Sequence, residues 1–300
     1  MTEEMIWRKA IPQKRDHRQS QALAWSAGLV LAALSFQTLI FMPPLAKLFP
    51  IFVFGAIAIS VLFALVVFGL RAATAAGAAC GAMTCLLLTF WTGSHPGSLL
   101  RTGLTPLILL FLLTFSATRM GRQRKAIAGL AEGKKGRNAA QIIANLGVAA
   151  ASSSVLAIAV LLGRLPPVTA GLAGTLALAA LAEATADTVS SETGQAFGGS
   201  PIMLTTLQTA EPGTDGAISL LGTVAGIGAA TLVVFAGWWS LRLGLREALI
   251  ALSAACAGLF FDSLLGATVE RRGWLGNDLV NFASTLFAAA IALGLLIALP

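Results

Sequence analysis

The chain has 300 residues, of which 57% are hydrophobic and 11% are charged, and its mean hydropathy is +0.84. This composition excludes a soluble domain, so we expect an integral membrane protein whose surroundings are the lipid bilayer and which has no nucleic-acid partner. The three cysteines, Cys80, Cys85 and Cys256, fall inside apolar runs. They predict buried thiols and indicate neither a disulfide framework nor a thiolate metal site.

Apolar stretches of about 20 residues, the length that crosses a bilayer as a helix, recur along the chain. They predict an all-α polytopic protein with about nine transmembrane helices, in a range of eight to ten. A basic segment, 1–21, precedes one membrane domain over 22–300, and the first span lacks a small-residue cleavage site, so we expect it to be retained. The expected spans are 22–42, 51–70, 72–92, 99–118, 139–163, 168–186, 217–239, 246–267 and 279–299.

The distribution of basic residues predicts the orientation of these spans. If the N-terminus is cytoplasmic, fifteen of the 20 Lys and Arg residues lie on the cytoplasmic side. Because basic residues concentrate in short cytoplasmic loops, we expect the N-terminus inside and the C-terminus outside a bacterial inner membrane. Most of the acidic residues gather at the same cytoplasmic face.

Two segments on that face have opposite charge. Residues 119–138 contain seven Lys or Arg and one Glu, whereas residues 187–216 contain four acids and no basic residue. The preference for basic cytoplasmic loops accounts for the first segment without any function. It does not account for the second.

The acids at the start of the second segment need a partner. On a helix, Glu183, Asp187, Ser190 or Ser191, and Gly194 share one face, and Glu192 points elsewhere unless the helix ends first. A carboxylate at the end of a membrane helix calls for either a cation from solution or a basic group from another loop. Mg²⁺ is typically held by one or two carboxylates and substrate phosphates, and the stretch KKGRN suits the phosphates. The two segments therefore predict a phosphate and metal site, with a structural network and a transported-ion site as alternatives.

Two further features indicate a polar site at this face. The amides of Asn138, Gln141 and Asn145 fall on one helix face, which favours either ligand binding or hydrogen bonds between helices. The stretch EPGTDGAISLLGTVAG leads from a Gly-rich turn into a helix, whose free N–H groups could bind an anion.

A third feature is an acid inside an apolar run. Asp262 has Gly258 and Gly266 four residues to either side, and an acid in such a run indicates function. The pair Gly222 and Gly226 predicts close packing of helices instead of ligand binding.

Four stretches occur in order, each at a predicted membrane boundary: KKGRNAAQIIANLG, ATADTVSSETG, GTDGAISLLGTVAG and DSLLGATVE. In these stretches, and over roughly residues 50–300, the chain resembles the domain-of-unknown-function 92 family, also called the transmembrane protein 19 family. That family includes the phytyl-phosphate kinases of tocopherol synthesis, and the ADT…SE…G stretch is similar to one in dolichol kinases. The resemblance implies a polytopic fold and CTP-dependent phosphorylation of an isoprenyl monophosphate to the diphosphate.

The resemblance also implies roles for the matching positions. We assign Asp187, Glu192 and Asp262 to catalysis and to Mg²⁺, bound directly or through water. In the third stretch the chain has Asp215 where the family pattern has glycine, which adds an acid where backbone would approach phosphate. The residues assigned to phosphate and substrate are Lys135, Arg137, Asn138, Asn145, Ser191, Gly213, Thr214, Asp215, Ser219, Ser263 and Asn281.

The favoured hypothesis is a membrane-embedded kinase that uses a nucleoside triphosphate, CTP in the characterised branch, to phosphorylate an isoprenyl phosphate such as phytyl phosphate. The alternative is a transporter whose intramembrane carboxylates couple to a cation or a proton; it predicts an inverted repeat and helices broken at the middle of the bilayer. A structural membrane scaffold is the third hypothesis, and it predicts that Asp187 and Asp262 tolerate replacement by Ala.

Overall fold

The structure is a computed structural model that describes residues 11–92, 98–130, 136–163 and 169–299. Within these ranges the chain forms nine long helices and one short one, together with two short strands. The helices are α1 (Gln13–Leu48), α2 (Pro50–Gly69), α3 (Ala75–Trp91), α4 (Leu104–Arg119), α5 (Arg122–Ile127), α6 (Ala139–Leu161), α7 (Thr169–Phe197), α8 (Leu220–Leu241), α9 (Leu245–Leu265) and α10 (Asn277–Ala298), and the strands are β1 (Ile202–Met203) and β2 (Ala217–Ile218).

The all-α polytopic class and the expected number of helices are confirmed. Six of the described helices are long and apolar enough to cross a membrane, and α3, α4 and α6 provide three shorter apolar helices or segments. Many large apolar side chains on α1 and α2 are exposed, among them Trp25, Phe36 and Ile51. In water such a surface would favour aggregation, whereas in a bilayer it faces lipid.

Helix α7 forms the centre of the bundle. It packs against α4, α6, α8, α9 and α10, and most of its residues are buried. Gly222 and Gly226 bring α8 against it: a Cβ at either position would lie 2.5 Å from a carbonyl oxygen of α7, that of Ser190 or Ala186. These glycines therefore permit close packing of two helices, as the sequence predicted.

Two helices extend beyond their predicted spans. Helix α7 continues to Phe197, eleven residues past the expected end at 186, so Asp187 and Glu192 lie on a helix and not in a loop. Helix α1 begins at Gln13, within the segment expected to precede the membrane domain. Its first turns dock on the connection between α9 and α10, where Arg15 Nη1 donates to Gly273 O at 3.0 Å and Gln19 Nε2 donates to Trp274 O at 2.8 Å. In both helices, contacts with other parts of the protein stabilise polar turns that lie outside the span predicted from hydropathy.

One end of the bundle collects the polar segments; we call it the polar end. There α7 and α9 end, α6, α8 and α10 begin, and one turn of π-helix, Gly266–Glu270, follows α9. The connection between α7 and α8 folds over this end and contains the antiparallel pair β1–β2, with Ile202 opposite Ile218. Five helices and one long connection thus bring their polar residues together.

Candidate functional site

A polar cavity of about 280 Å³ lies at the polar end. Residues of α6, α7, α9 and α10, and of the connection before α8, line it. Twelve of the fourteen residues predicted from the sequence to form a site are among them: Arg137, Asn145, Asp187, Ser191, Glu192, Gly213, Thr214, Asp215, Ser219, Asp262, Ser263 and Asn281. Four separate stretches of sequence therefore form one cavity, while the chemical roles assigned to their residues stay predictions.

Two carboxylates on neighbouring helices meet in this cavity. Asp187 on α7 and Asp262 on α9 both line the cavity and lie close enough for their charges to interact. Asp262 Oδ2 is buried and has no hydrogen-bond partner among the described residues. Like charges this close, away from bulk water, are unfavourable unless a proton or a cation lies between them. Arg137 also acts electrostatically on Asp187, and a shared proton or a cation would relieve the remaining repulsion; of the cations, a divalent one suits carboxylate oxygens.

Glu192, the third carboxylate assigned to the metal, already has a partner within the protein. It lines the cavity, but its carboxylate forms a buried ion pair with Lys125 of α5. Lys125 is only 1% exposed, and its ammonium also donates to Thr118 O at 2.8 Å. No group of three His, Cys, Asp or Glu side chains in the described ranges is arranged to hold a metal by itself. Glu192 joins α5 to α7, and a metal would have Asp187 and Asp262, which matches the one or two carboxylates usual for Mg²⁺.

The amides at the start of α6 divide into two groups. Asn138 does not line the polar cavity; it caps α6, since its Oδ1 accepts from Gln141 N–H at 3.0 Å while Gln141 Oε1 accepts from Asn138 N–H at 2.9 Å. Gln141 and Asn145 do line the cavity, and Asn145 Nδ2 donates to Gln141 O at 2.8 Å. Lys135, the other predicted phosphate ligand, lies outside the described residues.

The Gly-rich turn before α8 lies against the end of α9. Gly213 and Gly216 have φ values of +84° and +75°, which favour glycine. A Cβ at Gly216 would overlap the backbone of Ala267, so the turn can approach α9 only without a side chain there. Ser219 caps α8 by accepting from Gly222 N–H at 3.1 Å, which uses one of the N–H groups that we had considered for an anion.

Several lining residues were not among the predicted site residues. All but Glu270 are neutral, so no charge contrast marked them. Glu270 is acidic and is the last residue of the fourth stretch, but no role was assigned to it. Asn277 and Asn281 stand four apart at the start of α10, the same spacing as the amides of α6, and this repetition could have identified Asn277. The additional polar residues that line the cavity are Gln141, Thr188, Ser190, Gln195, Glu270 and Asn277.

Comparison with known proteins gives the family. Residues 58–289 match the family model described as integral membrane protein DUF92. The chain belongs to this family. The match covers most of the region, 50–300, over which the sequence resembles it, and it includes every described residue of the polar cavity.

Relatives occur in bacteria, archaea and plants. An uncharacterized membrane protein of Synechocystis sp. is 30% identical over 194 residues, which are 64% of this chain and 73% of that protein. An uncharacterized membrane protein of Methanocaldococcus jannaschii is 39% identical over 115 residues, 38% of this chain and 48% of its own length. The chloroplastic protein VTE6 of Arabidopsis thaliana is 28% identical over 186 residues, 61% of this chain and 55% of its own length. The chain thus spans about half the length of the archaeal and plant proteins, and no solved structure matches it.

Proposed function

We propose that the protein is a membrane-embedded kinase that transfers a phosphoryl group from a nucleoside triphosphate to an isoprenyl monophosphate, giving the diphosphate. The observation that carries this proposal is the carboxylate pair Asp187 and Asp262 in a polar cavity at one end of an apolar bundle. The characterised branch of the family that the sequence resembles supports phytyl phosphate as acceptor and CTP as donor. The cavity would face the cytoplasm, where the nucleotide is available.

The residues of the cavity would position two phosphates. Arg137, which lines the cavity at the start of α6, would contact phosphate oxygens in a bidentate manner, and the amide of Asn145 would orient them. The turn from Gly213 to Gly216 lines the cavity and would offer backbone N–H groups to the donor, apart from Thr214 N–H, which donates to Glu211 O at 3.2 Å. Asp187 and Asp262 would hold Mg²⁺. Bound there, Mg²⁺ supplies neutralisation of the negative charge on the donor phosphates.

The reaction needs little covalent help from the protein. An oxygen of the acceptor monophosphate, already ionised at neutral pH, attacks the γ-phosphorus of the donor, and the bond from that phosphorus to the β,γ-bridging oxygen breaks. The nucleoside diphosphate leaves with the electron pair, and the lipid diphosphate forms. No general base is required, so catalysis consists of in-line positioning and stabilisation of charge.

The test is a turnover assay with purified protein, CTP, Mg²⁺ and phytyl or geranylgeranyl phosphate, with lipid diphosphate as the measured product. Asp187→Asn should abolish product formation, because it removes one of the two anionic ligands. Asp278→Asn is the matched control: Asp278 also lies at the polar end, but it lines a different cavity, next to α1. Full activity of Asp187→Asn, or uptake of a solute into proteoliposomes without nucleotide turnover, would contradict the proposal.

A further inference from the structure

A second and larger cavity lies beside the polar one. Its volume is about 390 Å³, and helices α2, α3, α4, α6 and α7 contribute to its wall. The body of the cavity is apolar, with a wall that includes Phe63, Leu107, Leu110, Phe111, Phe115 and Leu146. A cavity of this size and character is typical of a site for a small apolar ligand.

The cavity is elongated along α4. Its lining on that helix runs from Leu107 to Arg119, a distance of about 18 Å along the helix axis. Across the cavity Phe63 of α2 meets Phe111 of α4 edge to face, with 5.7 Å between ring centroids. The shape suits one extended chain lying along α4 more than a compact, branched ligand.

The end of this cavity nearest the polar end of the bundle is strongly basic. Arg71, Arg119, Arg122 and Arg137 line it, and none of its described lining residues is acidic. Arg119 is oriented by its neighbours, since its guanidinium lies 4.0 Å from the Phe115 ring and Nη2 donates to Leu70 O at 3.1 Å. Guanidinium groups in such a cluster bind phosphate oxygens with good geometry. An apolar chain with a phosphate at one end is complementary to both parts of the cavity.

Arg137 and Asn145 line both cavities and so mark the point where they adjoin. The backbone around Arg137 is held firmly: its N–H donates to Ala72 O at 2.9 Å, and its carbonyl accepts from Thr74 N–H at 3.0 Å. Gly77 makes room for this contact, because a Cβ there would lie 2.5 Å from Arg137 O. A phosphate bound at the basic end of the apolar cavity would therefore lie next to the polar cavity, which Asp187 and Asp262 line.

We propose that the apolar cavity binds a lipid monophosphate with a single chain, the chain lying along α4 and the phosphate lying among Arg71, Arg122 and Arg137. This assignment rests on the proposed function in one respect, that the bound lipid is the acceptor. Binding of the lipid itself requires neither nucleotide nor metal.

The experiment measures binding of radiolabelled geranylgeranyl phosphate to protein in lipid nanodiscs, without nucleotide or divalent cation. Gly81 lines the cavity, and the nearest atom to a Cβ there is in the Phe63 ring, at 3.4 Å, so Gly81→Leu would place its side chain in the cavity. We expect at least tenfold weaker binding. Gly228→Leu is the matched control, because Gly228 is a helical glycine on the exposed side of α8 with no atom within 4 Å of its Cβ position. Wild-type affinity in a folded Gly81→Leu protein would overturn the assignment. If Gly81→Leu does not fold, Phe111→Trp is tested in its place.

A second set of measurements tests whether the phosphate group contributes to binding. Arg122→Gln should weaken binding at least threefold, whereas Arg242→Gln, at the turn between α8 and α9 on the opposite end, should not change it. Geranylgeraniol, which lacks the phosphate, should bind more weakly and be insensitive to Arg122→Gln. If inorganic phosphate displaces the lipid at equal concentration, the basic end of the cavity is a site for free phosphate and the assignment is wrong.

The two proposals fail in different ways. If geranylgeranyl phosphate binds as expected but CTP and Mg²⁺ yield no diphosphate, the lipid site stands and the proposed function fails. If wild-type protein makes the diphosphate but Gly81→Leu leaves KM for the lipid unchanged, the function stands and the lipid site fails.

Discussion

Removing the ammonium group that neutralises Glu192 should destabilise the protein strongly. Lys125 and Glu192 are both buried, and Lys125 holds two backbone carbonyls of the α4 end in addition to the carboxylate. Breaking a buried pair by removing one partner leaves an uncompensated charge, which costs about 3–5 kcal/mol. We therefore expect Lys125→Met to lower the free energy of unfolding by about that amount, and Glu192→Gln by less, because Lys125 keeps its carbonyl partners.

The double variant distinguishes a structural role of Glu192 from a catalytic one. Lys125→Met with Glu192→Gln leaves no buried charge, so its loss of stability should be smaller than the sum of the two single losses by about 0.5–3 kcal/mol of coupling energy. The assay is unfolding in mixed micelles by added denaturing detergent, followed by intrinsic fluorescence, with lipid diphosphate formation as a second measurement. If Glu192 only joins α5 to α7, the double variant recovers turnover along with stability. Additive losses in stability would refute the ion-pair argument, and restored stability without turnover would return Glu192 to the catalytic residues.

Three further changes have definite expected results. Gly216→Ala should destabilise the protein by more than the roughly 1–2 kcal/mol that a left-handed backbone costs, because its Cβ would overlap Ala267. Gly129→Ala is the control in the same unfolding assay: Gly129 has a φ of +71° and no atom within 4 Å of its Cβ position, so its loss of stability measures the backbone cost alone. Asp262→Asn should cut turnover at least a hundredfold and raise the Mg²⁺ concentration needed for half activity, while size-exclusion chromatography shows intact protein; an unchanged magnesium dependence would contradict its role as ligand. Gln19→Ala removes hydrogen bonds to the connection before α10 at Trp274 and Gly276, so amide hydrogen exchange there should speed up with little change in turnover.

The sequence predicted the helices well because their formation depends on hydropathy, which is a local property. Twelve of the fourteen residues assigned by resemblance line the polar cavity, because the four stretches that supply most of them lie at the same end of the bundle. The sequence did not predict the end of α7, since the turns from Asp187 to Phe197 are stabilised by contacts with α5 and α8 that no local pattern encodes. Lys125 was missed for the same reason: it is one of seven basic residues in a segment whose charge already had a general explanation, and only the tertiary fold shows that it is buried.

The position of the carboxylates favours an enzyme over a transporter. Below Asp187 on α7, Glu183 is the last acidic residue toward the bundle interior, and the turns beyond it, Leu176 to Ala182, are almost completely buried among apolar side chains. The polar residues that line the polar cavity, within the described ranges, all lie at the polar end of the bundle. A transported ion at Asp187 would have to cross that apolar core, whereas a kinase needs access for the nucleotide from one side and for an apolar chain from the bilayer. Under the proposed function, the two adjoining cavities would provide these two routes, and a lipid phosphate and a nucleotide would meet at their junction, which Arg137 lines.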